Sequence, residues 1–322
     1  MQLEQIRDLV ADDLRKVDLM IERQLASDVA LVNQVSKYIV DSGGKRLRPL
    51  SVVLGARACG YKGEHHVDAA AVVEFIHTAT LLHDDVVDGS HLRRGRDTAN
   101  HVWGNEASVL VGDYLYSRAF QMMVRLGNMR IQAVMADATN TIAEGEVLQL
   151  MNAHDPETTE ERYLQVIYRK TAKLFEAGAQ LGAILAEAGP DIEAAMVTFG
   201  RHMGAAFQLV DDALDYRADR NELGKNLGDD LAEGKPTLPM IYALSHSSIE
   251  DTARLRRAIE VGGVDDLDQV TRTIESSGGL EYTARLARRE KDLALEALGR
   301  LPDSAFRKGL HALAEFAVAR TY

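Results

Sequence analysis

An all-α fold is predicted by three observations. Apolar residues recur at helical spacing through most of the chain, proline is rare, and no alternating run is long enough to build a sheet. Only 6 prolines occur in 322 residues, so few positions forbid a helix interior. A hydrophobic share of 46% against 27% charged residues supplies a substantial core. We expect a single domain spanning 1–322.

Asp41-Ser42-Gly43-Gly44-Lys45-Arg46-Leu47-Arg48-Pro49 reads as a glycine-rich basic turn ahead of a helix. Ala69, Val72, Val73, Ile76, Ala79 and Thr80 repeat at helical period and mark a buried face. Residues 89–100 read as a polar loop carrying Arg93, Arg94 and Arg96. The period resumes over Val109 to Leu126 and Ile131 to Met151. Thr158 or Thr159 then caps a new helix whose first turn is acidic. Another helix runs from Tyr163 to about Ala188 and stops at Gly189-Pro190, and a further one spans Ile192 to Tyr216. The stretch at about 217–239 holds Gly224, Gly228, Gly234, Pro236 and Pro239 with Lys225 and Lys235, and reads as a mobile flap.

A formal charge of −12 argues against nucleic acid as a partner. The single Cys excludes an internal disulfide framework and any zinc site built from several Cys, in keeping with a reducing cytoplasm. Met1-Gln2-Leu3-Glu4-Gln5-Ile6-Arg7 lacks the form of a signal peptide. No apolar run approaches the roughly 20 residues that span a bilayer, so membrane contact is expected only transiently, at product release.

The chemistry is carried by two acidic clusters of identical spacing, Asp84-Asp85-Val86-Val87-Asp88 and Asp211-Asp212-Ala213-Leu214-Asp215. Positions i and i+4 share a helix face, so Asp84 pairs with Asp88 and Asp211 with Asp215. One such cluster could be a solvated helix end or a cap. Two, each closing an apolar run, suggest facing carboxylate walls that hold a hard cation. Mg²⁺ suits them, since it takes few carboxylates with waters and phosphate oxygens. Near Gly43-Gly44, Lys45 and Arg48 offer a point charge and a planar fork to a diphosphate.

Gly43 to Pro49, the first aspartate motif with its trailing Arg93-Arg94-Gly95, and Gly204 to Asp215 together resemble the trans-prenyltransferases, the polyprenyl diphosphate synthases. The segments Glu74–Thr80, Ile142–Leu150 and Glu233–Pro239 are in the style of the bacterial members that build octaprenyl chains. The resemblance covers nearly the whole chain. It implies the isoprenoid synthase fold, a helical bundle around a deep central cavity, and a Mg²⁺-dependent homodimer that joins isopentenyl diphosphate to an allylic diphosphate for quinone side chains. Asp84, Asp88 and Asp211 would bind the metal directly, and Asp85, Asp212 and Asp215 directly or through water. Arg93, Lys170 and Lys225, with Lys235 on closure, would neutralise the leaving diphosphate. Gly44, Lys45, Arg48, His77 and Arg94 would hold the second diphosphate. Thr171 and Gln208 would flank the allylic cation. Asp113, Glu144 and Glu146 read as further buried acids without an assigned role.

Small residues at Ala79 and Thr80, one turn before Asp84, leave the product channel open at that depth. The resemblance then suggests about eight isoprene units, with Met122 or Met123, or Met135, as the floor. Rival readings are a shorter-chain synthase, a terpene cyclase, a non-catalytic partner subunit and a structural cation-binding bundle. The cyclase would lack the second all-aspartate motif, and the subunit would lack both.

Overall fold

The computed structural model describes residues 2–217, 228–263 and 267–319. Helices dominate, as the sequence predicts. The amino-terminal part comprises α1 (Leu3–Asp8), α2 (Ala11–Leu25), α3 (Ala30–Asp41), α4 (Leu47–Ala58) and α5 (His65–Val87). A two-residue ribbon, β1 (Leu92–Arg93) with β2 (Arg96–Asp97), precedes α6 (Ala99–Trp103), α7 (Asn105–Leu126) and α8 (Met129–Asn152). Next come α9 (Glu160–Ile167), a π-helical turn (Tyr168–Ala172), α10 (Lys173–Leu185) and α11 (Pro190–Leu214). The remainder is α12 (Asp229–Ala232), α13 (Leu238–His246), α14 (Ile249–Val261), α15 (Leu267–Ser277), α16 (Gly279–Leu298) and α17 (Ala305–Ala319).

Local chemistry sets these limits. Gly127, left-handed at φ 64°, closes α7. Thr159 starts α9 by accepting the Arg162 backbone N–H at 3.2 Å, and Pro190 occupies the first position of α11, where its missing N–H costs nothing. Two departures from the sequence reading stand out. The helix expected from Tyr163 is interrupted by the π-turn. The loop after the first aspartate motif contains an antiparallel hairpin, too short to show as alternation. Its two-residue turn places Arg94 at φ 56° and Gly95 at φ 74°, the mirror-image geometry that matches strand twist.

The chain divides into two compact units. The first comprises Met1–Thr139, Leu174–Gly200 and Ala297–Leu313, and the second Asn140–Lys173, Arg201–Glu296 and Ala314–Tyr322. In the first, α5 packs against α2, α4 and α7. It is covered nearly all round, with Val72, Val73, Ile76, Ala79 and Leu82 inaccessible. Glycines let neighbouring backbones approach. A Cβ on Gly182 would stand 2.5 Å from the Ala56 nitrogen, and one on Gly200 would strike the Phe175 carbonyl. In the second unit, Leu209 and Val210 pack with Tyr163, Ile167 and Leu238. Ala213 and Tyr216 pack with Met240, Leu255 and Ile274. The acidic motif on α11 is therefore flanked by core residues on both sides.

Gly200→Ala tests the close approach in the first unit. Alanine gains ~1 kcal/mol of helix propensity, but the clash is with backbone and overpacking costs roughly 1–3 kcal/mol. Denaturant unfolding should show net destabilisation. Gly189→Ala, whose added methyl meets nothing within 4 Å, should not.

Candidate active site

The first aspartate motif ends α5. Asp85 is fully buried, while Asp84 and Asp88 are half-buried. Arg93, on β1, places both Nε (2.8 Å) and Nη2 (2.6 Å) on Asp85 Oδ1. Asn100 donates to the Asp85 carbonyl at 3.1 Å. Burial pushes the Asp85 pKa up, against the pull of Arg93. Its second oxygen, Oδ2, finds no hydrogen-bond partner. The hairpin thus has a purpose: it returns an arginine to the carboxylate eight residues earlier.

The basic turn before α4 is built from left-handed residues, Gly43 (φ 84°), Gly44 (φ 144°) and Arg46 (φ 49°). A Cβ at Gly44 would stand 2.6 Å from Arg94 Nη1, so the absent side chain seats that guanidinium against the backbone. Arg46 is committed to Glu74 at 2.9 Å. Arg48 stacks over the Phe175 ring at 4.5 Å and donates from Nη1 to His77 Nε2 at 3.0 Å. That bond fixes the His77 tautomer, with the proton on Nδ1. Burial, followed by Arg48, Arg94 and Arg93, holds the His77 pKa well below its ordinary value. Burial and the neighbouring Arg93 also lower the pKa of Arg94. Crowded cations around a neutral histidine suit an anion. Lys45 lies exposed on the same turn.

The second motif ends α11 with the same burial pattern. Asp212 is 3% exposed, and Asp211 and Asp215 are half-buried. Its partners are neutral: Tyr163 donates to Oδ2 at 2.5 Å and Gln208 Nε2 to Oδ1 at 2.6 Å. Gln208 Oε1 in turn accepts Thr171 Oγ1 at 3.0 Å. Thr171 and Gln208 are therefore brought together, bonded to each other. Burial, then Asp230, drives the Asp212 pKa up to about 7. The Asp230 backbone N–H donates to Asp215 Oδ2 at 3.1 Å.

Lys170 sits on the π-turn and reaches Glu146 Oε2 at 2.5 Å and Gln149 Oε1 at 2.7 Å. Gly145 permits this, since a Cβ there would lie 2.6 Å from the Lys170 nitrogen. Glu146 is half-buried, but Glu144 and Asp113 are exposed, correcting their reading as buried acids; they lie on the outward faces of α8 and α7. Lys235 pairs with Glu233 at 2.6 Å. Lys225 lies outside the described residues, as does 218–227 of the expected flap. From Gly228 to Pro239 the chain is packed, with Leu231, Leu238 and Pro239 buried. Ala79, Met122, Met123 and Met135 are core residues of the first unit. Thr80 bonds the His77 carbonyl at 2.8 Å. Sequence reasoning missed Tyr163, Phe175 and Asn100, which lie outside every motif.

These donors suit Mg²⁺. They are hard oxygens, Asp85 Oδ2 is buried without a partner, and Asp212 carries a charge that its own surroundings disfavour. Among the described residues no three His, Cys, Asp or Glu side chains form a ready-made metal cage.

Comparison with known proteins identifies the family. A family model described as polyprenyl synthetase matches residues 29–276. The octaprenyl diphosphate synthase of Escherichia coli K12 is 55% identical over 321 residues, 99% of each chain. That of Haemophilus influenzae is 50% identical over 323 residues, 100% of this chain and 98% of that protein. The crystal structure of a Caulobacter crescentus polyprenyl synthase complexed with calcium and isoprenyl diphosphate superposes with a TM-score of 0.96 at 43% identity, covering 100% of this chain and 98% of that one. A decaprenyl diphosphate synthase from Rhodobacter capsulatus gives 0.94 at 44% identity with both chains fully covered. The chain belongs to the polyprenyl synthetase family and has its all-α fold.

The neutral His77 makes stability depend on pH. Below its ordinary pKa of 6.5 the unfolded chain takes up a proton that the folded chain refuses. The His77 contribution is therefore lost as pH falls through that value, while Asp212, raised to about 7, contributes in the opposite direction. Denaturant unfolding between about pH 7.5 and 5 should therefore show wild type losing stability relative to His77→Gln as pH falls. Equal slopes would remove the assignment.

Proposed function

We propose that this chain is a Mg²⁺-dependent trans-polyprenyl diphosphate synthase, working as a single catalytic domain. It extends an allylic diphosphate, farnesyl diphosphate by preference, with successive isopentenyl diphosphate units to an all-trans product of about eight units that feeds quinone side chains. The observation that carries this reading is the repeated aspartate motif, each copy with its middle carboxylate buried and its outer two half-buried.

Asp84 and Asp88 in the first motif, and Asp211 and Asp215 in the second, are the half-buried carboxylates that would hold Mg²⁺. When bound, the ion would screen the charge gathering on the departing diphosphate. Lys170, Lys225 and Lys235 would add positive charge for the same leaving group. Arg93 orders Asp85 and would add positive charge for the diphosphate too. Lys45, Arg48 and Arg94 grip the diphosphate of isopentenyl diphosphate. His77 contributes an uncharged Nδ1–H donor, because Arg48 occupies its other nitrogen. Thr171 and Gln208, bonded to each other, would flank an allylic cation as dipoles without trapping it. The incoming alkene attacks that cation, and loss of a proton to the released diphosphate restores the double bond.

Ala79 places no bulk one turn below Asp84, which supports a long product, and Met123 or Met135 would close the channel. Relatives named for octaprenyl products at 55% and 50% identity support eight units. Leu110 and Val124 on α7, and Val147 and Leu150 on α8, are exposed apolar residues of the kind that suit contact with a second copy of the chain. No described helix is long and apolar enough to cross a membrane. We assign the reaction to the cytoplasm, with membrane contact at product release.

Incubation with farnesyl diphosphate, labelled isopentenyl diphosphate and Mg²⁺, read by mass spectrometry, should give a dominant product of about eight units. EDTA or Asp84→Ala should abolish it, by a factor on the order of 10³ or more for the variant. Ala79→Phe should shorten the product to a few units; an unchanged length would remove Ala79 from the channel. Light scattering should give a dimer that Val147→Glu/Leu150→Glu converts to monomer.

A further inference from the structure

We infer that Tyr163 is a positioning residue of the second aspartate motif, acting through Asp212 to set how Asp211 and Asp215 are presented to a metal–diphosphate. The inference rests on the functional reading above and adds a residue that lies outside all of its motifs.

Tyr163 sits on α9 among Ala206, Leu209, Val210 and Leu238, with 5% of its surface exposed. A phenylalanine would fill that space as well, so packing alone gives no reason for a hydroxyl. The hydroxyl meets Asp212 Oδ2 at 2.5 Å, while Gln208 Nε2 meets Oδ1 at 2.6 Å. Each oxygen therefore has its own donor, and the carboxylate plane is fixed. Gln208 stands one turn earlier on the same helix, and Thr171 of the π-turn holds it at 3.0 Å. Tyr163 ties the carboxylate directly to a helix other than its own, where Thr171 acts only through Gln208. Consecutive residues of a helix are about 100° apart (3.6 residues per turn). Turning Asp212 inward therefore fixes the direction in which Asp211 and Asp215, both half-buried, point. Arg93 does the same for Asp85 in the first motif, with a cation in place of a phenol. Donors behind ligating carboxylates commonly set metal affinity.

The test is calorimetric titration of the whole protein with Mg²⁺ and inorganic diphosphate, which needs no turnover. Tyr163→Phe should weaken binding about ten- to hundredfold and keep the wild-type melting temperature in metal-free buffer. On an Asp212→Asn background the same substitution should cause no further loss, since its route is gone. Wild-type affinity in Tyr163→Phe, additive losses in the double variant, or a variant that fails to fold would each overturn the inference. Absence of binding by the wild-type protein would instead overturn the functional reading.

Discussion

The site depends on keeping one carboxylate of each motif out of water. Desolvating an ion costs several kcal/mol even after relaxation, so Asp85 and Asp212 are tolerable only with donors aimed at them. The two motifs meet this demand differently. Asp85 receives a guanidinium, and Asp212 receives a phenol and an amide. A cation offsets buried charge more fully than neutral dipoles do. The difference is visible in Asp212, whose pKa rises to about 7 under burial and the field of Asp230. Identical spacing in sequence therefore conceals unlike electrostatics.

Irregular backbone is concentrated where these demands are met. The left-handed Arg94-Gly95 turn brings Arg93 back to Asp85, and the left-handed Gly44 admits the Arg94 guanidinium. The π-turn at Tyr168–Ala172 carries both Lys170 and Thr171. Such turns sacrifice ideal hydrogen bonding and persist when surrounding packing over-determines them. Gly145 supplies that packing here, by letting α8 lie directly on the Lys170 backbone.

The helices were legible because periodicity and punctuation agree. Residues 105–126 and 129–152 obey the spacing read from Val109 and Ile131, and Gly189-Pro190 marks the break before α11. The aspartates were legible because a repeated i, i+4 pattern survives without knowledge of tertiary contacts. Their division of labour was not, since burial of the second member depends on where α9 and the hairpin pack. Tyr163 lies 49 residues before Asp212 and belongs to no motif. A buried tyrosine requires a partner for its hydroxyl, but nothing local names that partner. The π-turn escaped for the opposite reason: its residues keep a helical pattern while one turn widens by a residue.

The charge distribution adds a constraint on how substrates can be held. The chain is strongly acidic, with a formal charge of −12, yet both substrates are polyanions. Long-range attraction cannot recruit them, so local groups must supply the positive potential. Around His77 the protein does this itself, with Arg48, Arg93 and Arg94 crowded closely enough to depress the histidine. Among the described residues around Asp212, Lys170 is bonded to Glu146, while burial and the charge of Asp230 raise the Asp212 pKa. On the function proposed above, the diphosphate at His77 is held by the chain's own side chains, while the one at Asp212 depends on a bound divalent ion.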